Sequence, residues 1–90
     1  MLKIAYTNQY LKDLELMKRR KLPKSELDEV VKLLLEQKPL PPKHKDHPLK
    51  GDFMGYRECH IRPNWLLIYK IDEKVLTLVL IRTGTHSDLF

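Results

Sequence analysis

The sequence has only one cysteine, Cys59, among its 90 residues. No disulfide within the chain is possible, and neither is a zinc site built from several cysteines. Long hydrophobic runs are also absent, because the apolar stretches have the length of strands and fall far short of the about 20 residues that a membrane-spanning helix requires. The N-terminal residues contain no apolar secretory core. We therefore expect a cytoplasmic protein with no membrane partner.

The composition is that of a small folded domain. Ninety residues suffice for one domain but not for two, so we expect a single domain over residues 1–90. Hydrophobic residues make up 42% of the chain and charged residues 32%, which argues against disorder. The formal net charge of +5 favours a polyanionic partner, either a nucleic acid or an acidic protein.

The N-terminal third predicts one strand and two helices. Leu2–Tyr6 alternates and is rich in strand-forming residues, and a helix over about Gln9–Arg20 follows it. The second helix ends before Pro39, and its apolar residues recur at i, i+3, i+4, i+7 and i+8: Leu27, Val30, Val31, Leu34 and Leu35.

The rest of the chain predicts a long loop and three strands. The loop covers residues 38–51 and contains four prolines, and loops of this length in a small domain often carry function. Strands are expected at about Gly55–Ile61, Trp65–Ile71 and Val75–Thr83. The order β-α-α-β-β-β predicts an α+β fold, with a mostly antiparallel four-stranded sheet and a two-helix hairpin packed on one face.

All four histidines lie in the loop or after it, and none lies on a predicted helix: His44, His47, His60 and His86. Because imidazole exchanges protons near neutral pH, one histidine can act as a base while another acts as an acid. Those are the two roles needed when a ribose 2′-hydroxyl attacks the adjacent phosphorus and RNA is cut. This chemistry requires no metal and no cofactor, and we expect neither.

Strand parity places two of the candidate residues on one side of the sheet. Side chains alternate between faces, so Tyr56, Glu58 and His60 share one face of their strand. The other face then carries Arg57, Cys59 and Ile61. A face with a phenol, a carboxylate and an imidazole suits a catalytic cleft, but it also suits the solvated side of an antiparallel sheet.

Other candidates have a structural interpretation beside the functional one. His47 can satisfy a backbone carbonyl in the loop, and Arg82 can pair with a carboxylate or bind a phosphate through its planar guanidinium group. His86 can be an exposed residue without function. A metal site from His44 and His47 with Asp46 is a further, less favoured possibility, because no helix frames these residues as in known zinc signatures.

Three separated segments resemble one family, the YafQ toxins of the RelE/ParE superfamily. They are KDHPLKG at 45–51, GYRECHIRPNWLLIYK at 55–70 and RTGTHSDLF at 82–90. Length and element order agree too, so the resemblance covers essentially the whole chain. It implies a RelE-like fold and the toxin component of a bacterial type II toxin–antitoxin system, acting as a ribosome-dependent mRNA interferase.

The resemblance also implies roles for individual residues. His47, His60 and His86 fall on the family's catalytic histidines, and Glu58 falls on an acidic position near the active site. Three further positions match or approach the family's pattern: Arg82 for the phosphate, Phe90 as a terminal aromatic linked to activity, and Asn64, where the family has an aspartate implicated in catalysis. Because an amide cannot act as a base, the role at Asn64 is structural or electrostatic, or this chain uses histidines alone.

Together these observations predict a metal-independent endoribonuclease. His60 and His86 are expected to share the acid and base roles, with His47 orienting or assisting. Arg82, helped by Arg57 or Lys50, is expected to stabilise the phosphorane. The products would carry a 2′,3′-cyclic phosphate and a 5′-hydroxyl group.

The expected partners are mRNA, the ribosome and a cognate antitoxin that is acidic and partly disordered alone. Operator DNA is expected to bind only the toxin–antitoxin complex. One alternative is a non-catalytic binding module with the RelE/ParE fold that inhibits another target, and the three family histidines argue against it. A plain RNA- or DNA-binding domain ranks last, because the predicted sheet lacks the aromatic stripe of stacking modules.

Overall fold

A mixed five-stranded sheet organises the chain, with two helices on one face and a one-turn helix on the other. The computed structural model describes all 90 residues. Two 3₁₀ turns, Pro42–His44 and Gly51–Phe53, interrupt the long loop. The elements in chain order are β1 Lys3–Tyr6, α1 Asn8–Arg19, α2 Lys24–Leu35, β2 His47–Pro48, β3 Arg57–Arg62, β4 Trp65–Asp72, β5 Thr77–Gly84 and α3 His86–Leu89.

The strand order across the sheet is β1-β5-β4-β3-β2. Only β1 and β5 run parallel, and the other neighbours are antiparallel. The α+β class and the helix pair are therefore confirmed, but the prediction of four strands is wrong. The fifth strand, β2, consists of His47–Pro48 alone, which is too short to show a period of two. Its proline is tolerated because β2 lies at the sheet edge.

The main core lies between the sheet and the long helices, and Thr7 ties the two layers together. The Thr7 hydroxyl accepts the N–H of Tyr10 at 2.9 Å, as a helix N-cap does, and donates to the carbonyl of Ile81 in β5 at 2.6 Å. The core itself is built from α1, α2 and one face of the strands: Leu2, Tyr10, Met17, Leu27, Val30, Leu34, Cys59, Ile61, Trp65, Leu67, Tyr69, Leu78 and Leu80.

A smaller apolar cluster covers part of the opposite face. Leu89 of α3 packs on Leu66 and Ile68 of β4, and Phe53 and Tyr56, from the segment between β2 and β3, lie beside them. Because Cys59 and Ile61 belong to the main core while Tyr56 belongs to this cluster, the predicted parity of β3 is confirmed. The C-terminal helix and the loop thus flank the sheet face that carries Glu58 and His60. None of the helices is both long and apolar enough to cross a membrane.

Candidate active site

Three ionisable side chains meet where the edge strand β2 pairs with β3. His47 lies opposite Glu58 across the strands, and His60 follows Glu58 on the same face. The Nε2 atoms of His47 and His60 lie 3.3 and 3.5 Å from one oxygen, Oε1 of Glu58. The carboxylate is buried, with 8% of its side chain exposed, while the His60 and His47 side chains are 21% and 47% exposed. Solvent therefore reaches this cluster through the imidazoles.

Backbone carbonyls fix the tautomers of both imidazoles. Nδ1 of His47 lies 3.1 Å from the carbonyl oxygen of Pro48, and Nδ1 of His60 lies 3.2 Å from that of Pro63. A carbonyl can only accept, so Nδ1 carries the hydrogen in each ring. In the neutral ring Nε2 then presents a lone pair to the Glu58 carboxylate. A favourable contact therefore requires a proton or another cation between these atoms.

His44 supports the cluster through a hydrogen bond to the backbone of His60. Its buried imidazole donates from Nδ1 to the carbonyl of His60 at 2.7 Å. This carbonyl lies beyond the two-residue pairing with β2, so His44 replaces a missing strand partner. The candidate metal set of His44, His47 and Asp46 is therefore not assembled, because the Asp46 carboxylate accepts instead from Tyr69 and Arg57.

The third family histidine, His86, begins α3 and is held by the turn after β3. Its backbone N–H donates to Oδ1 of Asn64 at 3.2 Å. Thr85 and Asp88 cap the helix reciprocally, with each side chain accepting the other residue's N–H. His86 is thus linked to the β3–β4 turn that also holds Nδ1 of His60, but it does not belong to the cluster around Glu58.

Aromatic rings border the same region. The His86 ring lies 5.0 Å from that of Phe90, and Phe90 meets Phe53 edge-on at 5.4 Å. The ammonium of Lys70 lies 5.8 Å from the centre of the Tyr56 ring. Phe90 remains half-exposed, so part of its ring is accessible to a base or another ligand.

Arg82 has a partner that the sequence analysis missed. Its Nε and Nη2 donate to the two oxygens of Asp13 at 2.9 and 3.0 Å, and Nη1 makes no hydrogen bond. Burial alone would raise the pKa of Asp13, but hydrogen bonds from Arg82, Gln9 and Thr83 lower it below the usual value. A sequence clue existed, since Asp13 occupies the apolar stripe of α1 between Tyr10 and Met17.

A second ion pair joins the end of α1 to α3. Arg20 donates to both oxygens of Asp88, at 2.7 and 3.2 Å. This hydrogen bonding, followed by that of the Thr85 N–H, holds the pKa of Asp88 well below its usual range. The α3 helix that carries His86 is therefore anchored to α1.

The two other predicted cationic residues differ in position. Arg57 belongs to the helix-facing side of β3 and pairs with Asp46 at 3.3 Å, so it lies on the opposite face from Glu58. We therefore leave Arg57 out of the candidate phosphate-binding set. Lys50 is exposed next to β2 and makes no ion pair.

Comparison with known proteins places this arrangement in one family. The family model of YafQ, described as a bacterial toxin of type II toxin–antitoxin systems, matches residues 2–90. The chain belongs to the YafQ toxin family. It is 44% identical over 88 residues to the mRNA interferase toxin YafQ of Escherichia coli K12, covering 97% of this chain and 94% of that one.

Solved structures of YafQ-like toxins agree with the fold. YafQ in the E. coli DinJ–YafQ complex superposes with a TM-score of 0.90 at 40% identity, covering 100% of this chain and 99% of that one. A metal-bound toxin from Helicobacter pylori superposes with a TM-score of 0.95 at 43% identity, with both chains fully covered. The recognition of a YafQ toxin from the three sequence segments is thereby confirmed.

Proposed function

We propose that this YafQ-family protein is an endoribonuclease that cuts mRNA on the ribosome by histidine acid–base catalysis. The observation that carries the proposal is the convergence of two imidazole Nε2 atoms on one buried carboxylate, with both Nδ1 atoms fixed on carbonyls. The mRNA target is supported by the E. coli relative, which is an mRNA interferase by name.

In the proposed reaction, one imidazole removes the 2′-hydroxyl proton through its Nε2 lone pair. The oxygen attacks the adjacent phosphorus, and an imidazolium ion protonates the departing 5′-oxygen. His60 and His86 share these two roles, and His47 assists. Glu58 contacts both neighbouring imidazoles and holds their orientation, as the carboxylate of a catalytic triad does.

Positive charge near the cleft would stabilise the phosphorane. Arg82 is oriented by Asp13 through two of its nitrogens and keeps Nη1 for a phosphate oxygen. Lys50 is free of ion pairs and adjoins His47 through β2. Asn64 serves as the acceptor that fixes the backbone of His86, a role open to an amide as well as to the family's aspartate.

We further propose an antitoxin partner, since the E. coli relative has been solved with DinJ. The net charge of +5 fits an acidic, partly disordered antitoxin that covers the basic surface. Operator DNA would then be bound by the toxin–antitoxin complex.

The test is end-group mapping of cleaved RNA with purified protein, in one arm on programmed ribosomes and in another on free RNA. The parent should leave 2′,3′-cyclic phosphate and 5′-hydroxyl ends and should remain active in EDTA. His60→Gln and His86→Gln should each lower the rate at least about 100-fold, the scale of one acid–base group. Glu73→Gln in the exposed β4–β5 turn is the matched control and should act as the parent.

Ends with a 5′-phosphate, or loss of activity in EDTA, would contradict the proposed chemistry. Equal activity on free RNA and on ribosomes would show that cleavage does not require the ribosome. A His86→Ala variant that inhibits growth as strongly as the parent would favour the non-catalytic binding module instead.

A further inference from the structure

The ammonium group of Lys70 contacts an aromatic ring instead of a carboxylate. Its Nζ atom lies 5.8 Å from the centre of the Tyr56 ring, within the range of a cation–π contact. Lys70 forms no ion pair, whereas Arg57 and Arg82 are each paired with an aspartate. An aromatic ring orients a cation without cancelling its charge, so the positive charge of Lys70 is available to an anionic ligand.

Lys70 lies on the same face of the sheet as the candidate active site. On that face of β4, Leu66 is paired with His60 and Ile68 is paired with Glu58. Lys70 follows Ile68 by two residues, so its side chain points to the same side. Two residues of a strand span about 6.6 Å and four span about 13 Å. The lysine is therefore one step along the sheet from Glu58 and two steps from His60, which is comparable to one or two nucleotides of an extended RNA strand.

A row of rings connects His86 with Lys70. The ring centres of His86 and Phe90 are 5.0 Å apart, and those of Phe90 and Phe53 are 5.4 Å apart. The next ring is Tyr56, 6.4 Å from Phe53, and it is the ring that the Lys70 ammonium contacts. Phe90 is half-exposed, and Phe53 and Tyr56 are partly exposed. An RNA strand that passes from His86 to Lys70 therefore has aromatic surface beside it on which bases can stack.

We propose that Lys70, oriented by Tyr56, binds a phosphate of the mRNA one or two nucleotides away from the scissile phosphate. This subsite rests on the function proposed above, and it holds the RNA strand in register with the histidines. Asp72, the next residue on this face of β4, accepts the backbone N–H of Lys74 and does not pair with Lys70. Because Lys70 binds substrate and transfers no proton, its loss should weaken RNA binding and leave the pH dependence of cleavage unchanged.

The first test measures cleavage of mRNA on programmed ribosomes by Lys70→Gln and Lys70→Arg. Lys70→Gln should lower kcat/KM about tenfold, the scale of one hydrogen bond to a charged group, and the loss should appear in KM with kcat unchanged. Lys70→Arg keeps the charge and should recover most of the lost activity. Lys32→Gln is the matched control, because it removes an exposed lysine of α2 in the helix layer and should act as the parent.

The second test changes the substrate. A neutral 2′-deoxy methylphosphonate linkage replaces one flanking phosphate at a time, at the two positions on either side of the cut, and a 2′-deoxy phosphate linkage at the same position is the substrate control. At one of these positions the neutral linkage should slow the parent about tenfold. It should not slow Lys70→Gln further, because the variant has already lost that contact. A purely structural role of Lys70 predicts the same slowing in both proteins.

Three results would overturn the subsite: parental kcat/KM in Lys70→Gln, a parent that no neutral linkage slows, or equal slowing of the parent and the variant. If the parent does not cut mRNA, the proposed function fails, and the fluorescence anisotropy of a labelled single-stranded RNA decides the subsite instead. Lys70→Gln should then weaken binding and reduce the salt dependence of the affinity by about one phosphate contact. Equal salt dependence in the two proteins, or no binding by the parent, would overturn the subsite in that case as well.

Discussion

Asp13 in α1 and Arg82 in β5 lie 69 residues apart and form a two-pronged ion pair at 2.9 and 3.0 Å. The same carboxylate accepts the backbone N–H of Thr83 at 3.2 Å. One buried residue of the first helix therefore fixes both the last strand and the direction of the arginine that we assign to the phosphate. Structure and proposed chemistry depend on the same contact.

Replacing Asp13 by asparagine should lower both stability and cleavage. The variant leaves Arg82 without its charge partner, and breaking a fully buried pair costs about 3–5 kcal/mol. Because the Arg82 side chain is partly exposed, we expect a smaller loss of about 1–3 kcal/mol in the free energy of unfolding. Urea denaturation measures this loss. Asp28→Asn, which breaks an exposed pair with Lys24, is the control and should change stability by less than about 0.5 kcal/mol.

The Asp13 variant should also cut RNA more slowly at temperatures where it is fully folded, because Arg82 is then free to leave the cleft. An Asp13→Asn protein with parental stability would show that the ion pair does not stabilise the fold. A variant with lowered stability but a parental cleavage rate would show that the orientation of Arg82 by Asp13 does not contribute to cleavage.

Acid should destabilise the protein in part through the carboxylate of Asp88. Its pKa is lowered in the folded state, chiefly by Arg20, so its contribution to stability is complete above the unfolded pKa of about 3.9 and is lost as pH falls below it. Arg20→Gln removes the main cause of that lowering. The variant should be less stable than the parent at pH 7 and should lose less stability between pH 5 and pH 2. Thermal unfolding of both proteins at pH 7 and between pH 5 and pH 2 measures this difference. Parallel curves for the two proteins would contradict this linkage.

The long elements of the fold could be predicted because their periodicity is visible in the sequence. The strand β2 and the helix α3 could not be predicted in that way, since two and four residues do not show a period. For α3 another clue was available: Thr85 and Asp88 have the spacing of a capping box. Strand parity placed Glu58 and His60 together correctly. The arrival of His47 beside them depended on the pairing of β2 with β3, a long-range contact that pattern alone does not predict.

The partners of the predicted cations were the least predictable part of the site. Arg82 and Arg57 were both expected near the phosphate, but each is held by an aspartate, Asp13 and Asp46 respectively. Such pairs depend on the tertiary approach of distant segments, here a helix and a proline-rich loop. Parity already placed Arg57 on the face away from Glu58, so its assignment to the phosphate conflicted with the pattern itself.

Replacing Gly84 by alanine should disturb α3. A β-carbon at this position would lie 3.0 Å from the β-carbon of Asp88 and 3.1 Å from its Oδ2. The Asp88 side chain must then move by a few tenths of an ångström. Because Asp88 caps α3 and pairs with Arg20, we expect this movement to displace α3 and His86 with it. We expect a loss of about 1–3 kcal/mol in stability, as for overpacking elsewhere, and a lower cleavage rate. Thermal unfolding and the end-mapped cleavage assay measure the two effects. A fully active and fully stable variant would show that a β-carbon at position 84 does not displace Asp88.

Substitutions of Asn64 test whether this amide, at a position where the family has an aspartate, acts as a hydrogen-bond acceptor. Its Oδ1 receives the backbone N–H of His86, and either an amide or a carboxylate oxygen can do this. Asn64→Asp should therefore retain activity, whereas Asn64→Ala should lose it about tenfold, since one hydrogen bond of about 1–1.5 kcal/mol corresponds to such a factor. The loss should appear in the cleavage rate with unchanged RNA affinity, because His86 remains present but is misplaced. If Asn64→Ala cuts at the parental rate, the contact does not position His86. If Asn64→Asp is much faster than the parent and gains a new basic limb in its pH profile, the position supplies a base and our assignment of acid and base to histidines alone is wrong.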